Sequence, residues 1–590
     1  MTSGPFWPRR QDLPKDVSAG LTVALVSVAE GMAYAVVAGV DPVYGLYAGS
    51  VSVLVGSLLA SSRLLVITAT NALALVAADH IGALGDDVDP ATALFTLTVL
   101  VGAVMAGLGL ARLGSVVRFI SAEVQAGLVA AVALLIVLGQ YDELVGYSSD
   151  AVALGGGKVV RAADITAHAA SWDGATTTVG IACIIALVVA KRTRLRSYAD
   201  IVAMVLGIAL VSGLGLDSVQ TVGDIASIPT GLDAIPTPHW PDLSLVPELL
   251  PAAVAAAIVG LAEASTVGAA YPNPDGARSD MNRDFVAQGA ANLAGGLFRA
   301  LPAGGSLSRT GVNVSAGARS RWAGVSAGVL LVVLVAIVGR LAERIPLTTL
   351  AAILMVIGVE ALTKEVRHLV QARWVSWPHV GAALVTVVVG VVDELTVAIF
   401  TGVAPSLLLY MISAGDRARL VAWARRADGS WEEIPPPAEL PSGEVTVLAL
   451  TGSAYFASAY RADQVMPGYQ DTIGAAVVLQ LRDRFFYSLT GVDWLKSAVE
   501  KLHDGRNVVL LADIDPSQRE ALVKTGLLDT VGEDRVVWRD QVLGAAASEA
   551  SRRGLAWISA HHARPLTPDA DSAGRDSSTA VDEGPQDESV

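Results

Sequence analysis

Cysteine is nearly absent. The chain has one, Cys183, in 590 residues, which excludes an intrachain disulfide and any Cys-based metal site. A basic surplus is missing too. The net charge is −15, so the chain lacks the balance of a nucleic-acid binder. The N-terminal stretch MTSGPFWPRRQDLPKD has no apolar core of a cleavable signal, so the first apolar segment is expected to act as an uncleaved anchor. From about Val17 to about Ile412 charge of either sign is scarce. From Gly415 onward charge density is ordinary.

What fills the charge-poor stretch is apolar sequence, and 53% of the whole chain is hydrophobic. That is too apolar for a soluble protein of this length. Fourteen spans fit, near 16–38, 43–60, 69–80, 92–110, 122–139, 173–190, 196–214, 246–268, 284–300, 306–317, 322–339, 347–362, 374–390 and 395–413. A full span needs about 17–25 residues. The third and tenth fall short of this and read as half-helices.

Loop charges orient the spans. Arg63, Arg112, Arg118, Lys191, Arg192, Arg194, Arg196, Arg278, Arg283, Arg319, Arg321, Lys364, Arg367 and Arg373 fall on one side. Lys158, Arg161, Arg299, Arg340 and Arg344 fall on the other, with the acids Asp86, Asp87, Asp142, Glu143 and Asp242. By the positive-inside rule both termini are cytoplasmic. Arginine outnumbers lysine, a bias of GC-rich bacterial genomes, so the expected location is a bacterial inner membrane.

An internal repeat is also legible. Glu30 lies about halfway along the first span and Glu263 about halfway along the eighth. Thr68 follows Glu30 by 38 residues and Ser306 follows Glu263 by 43, each opening a short span. Seven spans separate the members of each pair. An odd number inverts the second copy, and inverted repeats with broken helices meeting at the midplane are a recurring transporter design. The expected fold is thus a polytopic α-helical membrane protein of fourteen spans.

The C-terminal part reads differently. Residues 1–413 form the membrane domain, 414–440 a linker containing Pro435, Pro436 and Pro437, and 441–562 a small α/β domain. Runs such as Ala475–Leu481 and Asn507–Ala512 resemble buried parallel strands. Segments near 491–503, 516–526 and 539–553 read as helices. Residues 563–590 carry seven acids and two arginines and read as a disordered acidic tail.

The strongest site candidate is Gly304-Gly305-Ser306-Leu307-Ser308-Arg309. Arg309 is the one cation expected near mid-membrane, and an intramembrane charge marks a functional site by default. A helix start offers unpaired N–H groups and positive potential, which suit an anion. Ser306 and Ser308 add hydroxyls, and a guanidinium suits an oxyanion. Alternatively, Arg309 pairs with a buried carboxylate and holds the fold. Thr68, Ala69, Thr70 and Asn71 open the facing half-helix, where Thr68 and Thr70 could also serve as caps. Glu30 and Glu263 are candidates for taking up a proton or balancing Arg309. Tyr34 could line the cavity or merely pack. Asn71, Gln125, Asn282, Gln288, Asn292 and Asn313 read as helix-packing hydrogen bonders. Few oxygen ligands cluster near Glu263, which makes sodium coupling less attractive than proton coupling.

These segments resemble the SulP (sulfate permease) family. The resemblance rests on Gly31-Met32-Ala33-Tyr34-Ala35, Ala38 to Tyr47, Gly107 to Gly114, Arg118-Phe119-Ile120-Ser121, Val222-Gly223-Asp224-Ile225, Ala287 to Asn292, and Gly305 to Thr310 with Asn313. It covers about residues 10–560. It implies seven-plus-seven inverted repeats in a core and a gate domain, a cytoplasmic STAS domain, elevator-like motion, homodimers, and an anion held between the third and tenth spans. Three departures stand out. Ala29-Glu30 replaces a frequent Pro-Gln, which favours proton coupling. Thr68-Ala69 replaces Gly-Pro and alters the pocket. Leu489 occupies the phosphorylated serine position in Ser488-Leu489-Thr490-Gly491, which argues against phosphoswitching.

The expected function is therefore secondary transport of a small anion (sulfate, bicarbonate or a dicarboxylate) by proton symport. The rivals are an uncoupled anion exchanger, a nucleobase permease, and a membrane-tethered STAS regulator. No enzyme activity, cofactor, metal or nucleic acid is expected. The expected partners are the anion, protons, membrane lipid, a second copy of the chain and a cytoplasmic protein bound by the STAS domain.

Overall fold

The computed structural model describes residues 7, 9–84, 88–114, 122–147, 157–374, 377–392, 395–416, 419–451, 465–482, 489–504 and 506–562. Asp86, Asp87, Arg118, Ser488 and the acidic tail lie outside the described residues. The chain divides into two compact units, Met1–Leu409 and Tyr410–Val590.

The first unit is built from helices: α1 (Leu13–Val37), α2 (Pro42–Leu59), α3 (Asn71–Ile81), α4 (Pro90–Leu110), α5 (Ala122–Gly139), α6 (Gly174–Lys191) and α7 (Ala199–Leu214). They continue with α8 (Val246–Ala270), α9 (Met281–Leu297), α10 (Leu307–Ser315), α11 (Trp322–Ala342), α12 (Leu347–Ala372), α13 (Trp377–Val392) and α14 (Leu395–Asp416). A helix lies at each of the fourteen expected positions. Among the described residues, eight helical segments are long and apolar enough to cross a membrane by length and composition.

Packing sorts these helices into two bundles. In the first, α1 packs on α2, α10 and α11, α4 on α8 and α9, and α2 on α9 and α11. In the second, α5 packs on α12 and α13, and α6 on α7 and α12. The bundles meet where α1 packs on α7 and α12, and α3 on α5. Small residues allow the tightest crossings. A Cβ on Gly45 of α2 would stand 1.8 Å from the Gly31 carbonyl oxygen of α1, so the two backbones touch where any side chain would wedge them apart. Cys183 is buried, in keeping with a small apolar packing residue.

The half-helix of the third span begins at Asn71, two residues later than expected. Thr68 belongs to a strand, β1 (Ile67–Ala69), rather than to a helix. It pairs antiparallel with β2 (Ala303–Gly305), Thr68 lying opposite Gly304. The physical reason is hydrogen bonding. An extended segment in a dry interior must pair its N–H and C=O groups, and the two extended segments pair with each other. Because the pairing is antiparallel, α3 and α10 leave opposite ends of the strand pair, each with its N-terminus toward the crossing.

The second unit is a six-stranded sheet in the order β4-β3-β5-β6-β7-β8. Its strands are β3 (Arg419–Arg425), β4 (Trp431–Ile434), β5 (Val445–Thr451), β6 (Ala476–Gln480), β7 (Val508–Ile514) and β8 (Val536–Trp538). The last four run parallel. Alternate residues feed two cores. Val477, Leu479, Val509 and Leu511 join Leu495 and Val499 of α15 (Leu489–Asp504). Val478, Val508 and Leu510 join Ala547 and Ala550 of α16 (Ala545–His562). Burial on both faces explains why these strands read as continuous apolar runs.

Two expectations fail here. The segment expected as a linker, 414–440, contains β3 and β4, which pair with each other, while β3 also pairs with β5. Leu420 and Ala422 are buried in the core, and that burial outweighs the polar, proline-rich look of the segment. The helix expected near 539–553 begins only at Ala545, after the Gly544 backbone turns at φ +78°.

Candidate functional site

Backbone geometry places the site first. Ser306 N donates to the Val66 carbonyl at 3.0 Å, and Val66 N donates to Thr310 Oγ1 at 3.0 Å. Asn292 pins β2 from below: its amide nitrogen donates to the Ala303 carbonyl and its oxygen accepts from Ala303 N, both at 2.7 Å. Asn313 donates to the Leu64 carbonyl at 3.1 Å. A Cβ on Gly305 would stand 2.6 Å from Ala264 Cα, so glycine is required where β2 passes α8. Asn292 and Asn313, expected to make helix-packing bonds, hold the crossing strands and loops instead.

Two buried carboxylates that went unnoticed in the sequence hold the flanking turns. Asp284 accepts from Ser61 N at 2.6 Å and Ser62 N at 3.0 Å, just before β1. Asp16 accepts from Arg319 N at 2.7 Å and Ser320 N at 3.1 Å, just after α10. Each sits in the first turn of its helix and reads in sequence as an ordinary acidic helix start, so no signal marks either one.

Arg309 is fully buried and heads the buried side chains by volume. Its Nε lies 3.1 Å from Glu30 Oε2. Its Nη1 donates to Thr68 Oγ1 of β1, and its Cζ lies 5.7 Å from the Tyr34 ring centre. Tyr34 donates to Glu30 Oε2 at 3.4 Å, and Ser308 Oγ lies 3.5 Å from the same oxygen. Glu30, Tyr34, Thr68, Ser308 and Arg309 thus converge from α1, β1 and α10. Nη2 of Arg309 has no hydrogen-bond partner among the described residues.

Ser306 caps α10 by accepting from Arg309 N at 3.3 Å. The first turn opens to solvent at Leu307, 37% exposed, and at Ser308. Arg309, the next residue, is fully buried. On the facing half-helix Thr70 takes the N-cap position but makes no side-chain cap bond. Ala69 is buried in β1, and Asn71 opens α3 with its Oδ1 buried and unpartnered among the described residues.

Glu263 does not join Arg309. Its Oε2 faces the backbone of β2, 3.0 Å from where a Gly304 Cβ would lie, with Thr70 beside the carboxylate. That oxygen has no hydrogen-bond partner among the described residues. Of the two glutamates, Glu30 neutralises the arginine. Arg309 thus stands beside a carboxylate here, with its Nη2 making no hydrogen bond among the described residues.

One further carboxylate went unnoticed in the sequence. Asp200, the second residue of α7, lies within electrostatic reach of Glu30, Arg309 and Tyr34. Lys191 and Glu360, themselves an ion pair at 2.7 Å, lie within electrostatic reach of it as well. An acid just after an arginine-rich loop reads as a plain first-turn residue, and only the packing of α7 on α1 brings it to the site.

Known proteins match this chain in sequence and in fold. Residues 13–376 fit the model of the sulfate permease family. Sulfate transporter 4.1 of Arabidopsis thaliana, a chloroplastic protein, is 30% identical over 350 residues, 58% of this chain and 50% of that one. The structure of the murine Slc26a9 anion transporter in the inward-facing state superposes with a TM-score of 0.77 at 18% identity, covering 93% of this chain and 92% of that one. The transmembrane domain of the cyanobacterial bicarbonate transporter BicA gives 0.54 at 20% identity, covering 69% and 98%. With more than half its length matched to one family model, and with many apolar helices, this chain is a multi-pass membrane protein that belongs to the sulfate permease family.

Proposed function

We propose that this protein carries a small oxyanion through the membrane together with a proton, and that Arg309, exchanging its partner Glu30 for the anion, is the pivot of the coupling. The observation that carries the reading is the 3.1 Å Arg309–Glu30 pair at a fully buried guanidinium. Attraction at that separation is on the order of 5 kcal/mol at an effective dielectric of about 20. While Glu30 is ionised the pair is neutral, and an entering anion would leave a net negative charge in a dry site. A proton on Glu30 releases the positive charge of Arg309 to the anion. A monoanion such as bicarbonate then enters with its proton as a neutral set, and a dianion such as sulfate brings one net negative charge instead of two, which lowers the cost of an unpaired charge in a buried site.

The helix starts support the same sign of ligand. α3 and α10 each point an N-terminus at the site, where N–H groups and the macrodipole favour an anion. Thr68, Ala69, Thr70 and Asn71 form one wall, and Gly305, Ser306, Leu307, Ser308 and Arg309 the other. Tyr34 covers the Glu30–Arg309 pair. Glu263 adjusts the β2 side. Sulfate heads the candidate substrates because the family and the Arabidopsis relative carry its name, and bicarbonate and dicarboxylates share the charge that the site offers.

In this reading all fourteen helices count as spans, arranged as seven plus seven. The first bundle is the moving core and the second the gate, and the substrate moves by an elevator-type displacement of one past the other. The sheet unit serves as a cytoplasmic STAS domain, both termini face the cytoplasm, and the protein works as a homodimer. The test is uptake by the purified full chain in proteoliposomes, using labelled sulfate, bicarbonate and succinate with and without an imposed pH gradient. Gradient-driven accumulation of at least one anion is expected. Exchange that ignores the gradient would replace symport with an uncoupled exchanger, and no flux of any anion would leave a regulatory role.

A further inference from the structure

The half-helix α3 has two ends, and the candidate site uses only one of them. Asn71 opens it at the strand crossing, and 11 residues carry it to Ile81. At about 1.5 Å per residue that is roughly 16 Å, about half the thickness of a membrane's hydrocarbon core. A helix that starts at mid-membrane therefore finishes near one surface, the outer one in the proposed topology. Asp79 stands half-buried on its last turn. An acid there is at odds with the helix dipole, whose C-terminal end favours cations.

The compensation comes from another element. Lys158 Nζ lies 3.6 Å from Asp79 Oδ1. Lys158 opens the helix Lys158–Ala167, where the dipole disfavours a cation. Each charge is misplaced on its own helix, and each is answered by the other. The partners belong to different bundles. α3 packs on α1, α4 and α8 of the first. The helix Lys158–Ala167 packs on α5 and on the short helix Tyr141–Val145. Its Arg161 pairs with Asp142, and Trp172 Nε1 donates to the Ile165 carbonyl at 3.0 Å, which fixes it to the second bundle. Arg309–Glu30, Arg63–Asp275 and Lys191–Glu360 each stay within one bundle, whereas Asp79–Lys158 joins the two.

We propose that the Asp79–Lys158 pair is a latch that holds the outer end of α3 against the second bundle and opens each time the bundles slide. This rests on the elevator reading above. The same half-helix forms one wall of the site at Asn71, about 12 Å along α3 from Asp79, so the latch sets where the site stands relative to the second bundle. Both partners are positioning residues that act through α3. A slide of one helical turn, about 5 Å, takes the pair out of bonding range. The side chains are 32% and 19% exposed. A pair of that kind shifts the balance between two arrangements by about two- to fivefold, enough to bias the cycle and little enough to break in every turnover.

Site accessibility tests the latch without relying on flux. Ser308 is exposed in this arrangement, and the chain's own Cys183 is buried. In right-side-out vesicles of the full chain, an impermeant thiol reagent reaches Ser308→Cys from outside only when the first bundle has moved. Its labelling rate is expected to rise about two- to fivefold on adding Lys158→Met, which removes the charge and keeps the apolar stem, and equally on adding Asp79→Asn. The swapped pair Asp79→Lys/Lys158→Asp is expected to bring the rate back to within about twofold of the parent. An unchanged rate in Lys158→Met overturns the proposal. So does a rise that the swap leaves in place, which would mark a general loss of packing.

A second arm asks whether the ends must part. Asp79→Cys/Lys158→Cys is bridged with a short bifunctional methanethiosulfonate, and uptake of labelled sulfate, bicarbonate and succinate is measured in proteoliposomes. Bridging is expected to lower uptake about tenfold or more, as arrest of a gating motion does, and reductant to restore it. Full uptake by the bridged protein overturns the proposal. No flux in the wild type sinks the transport reading instead, and the labelling rates then decide for or against the latch alone.

Discussion

The two sides of the candidate site have similar backbones and different charge. On each, a short strand leads into a short helix, and each site glutamate lies on a long helix of the first bundle. One side gathers Arg309, Glu30, Tyr34, Ser308 and Thr68 into a bonded cluster. On the other, Glu263 faces the glycine backbone of β2, and its Oε2 has no hydrogen-bond partner among the described residues. Matched positions in two halves therefore do not mean matched roles. Two carboxylates lie near one strand crossing, and Arg309 stands beside only one of them, Glu30.

The most damaging break in this asymmetry is Arg309→Ala. Uptake is expected to fall at least about a hundredfold, the scale on which a buried anion-stabilising donor acts. The variant also strands Glu30, and removing one partner of a buried pair costs about 3–5 kcal/mol. The double variant Arg309→Ala/Glu30→Gln should regain thermal stability and remain inactive. Normal uptake kinetics in Arg309→Ala would remove the arginine from the mechanism.

Next in size is the contrast between the glutamates. Glu30→Gln should lose about tenfold or more of its gradient-driven accumulation, while anion binding persists and becomes independent of pH. Glu263→Gln should stay within about threefold of the wild type in driven uptake, since no cation depends on it and a neutral amide avoids a buried unpaired charge. Titration of anion binding against pH in both variants is the check. A Glu263→Gln variant that loses coupling while Glu30→Gln keeps it would reverse the assignment.

The sequence carried the helix positions because apolar runs bounded by charge are a coarse signal that needs no partner. It carried Arg309 for the same reason, since one cation in such a run stands out. It could not choose between Glu30 and Glu263, which look alike until α1 is laid against α10. It missed Asp200, Asp16 and Asp284, because a first-turn acid has the same appearance whether it faces water or a buried turn. The short strands before α3 and α10 escaped too. Three residues are too few for a period, and their pairing lies 238 positions apart at Ile67 and Gly305. β3 and β4 were read as linker because their buried residues emerge only when β5 lies beside β3.

Packing on the Glu263 side offers a smaller and more local test. Gly305→Ala would drive a methyl group to 2.6 Å from Ala264 Cα, a backbone atom that cannot turn aside. Overpacking of this kind costs about 1–3 kcal/mol, so the melting temperature of the purified protein should fall. At Gly304 the nearest atom is Glu263 Oε2 at 3.0 Å, the end of a side chain that can yield, so Gly304→Ala should lower it less. Equal shifts for the two variants would mean that β2 is not wedged against α8 as described.

The smallest expected difference separates the two helix starts. Ser306 caps α10 through Arg309 N at 3.3 Å, whereas the Thr70 side chain makes no cap bond on α3. Loss of a working cap costs about 1 kcal/mol, so Ser306→Ala should destabilise the protein by that amount and Thr70→Ala by only a few tenths. The measurement is thermal unfolding with and without saturating anion. If an anion occupies the N–H groups of α10, it supplies part of what the serine supplied, and the penalty of Ser306→Ala should shrink when the anion is bound. A penalty that is the same in both conditions would place the anion away from the first turn of α10, and the two half-helices would then differ in capping alone.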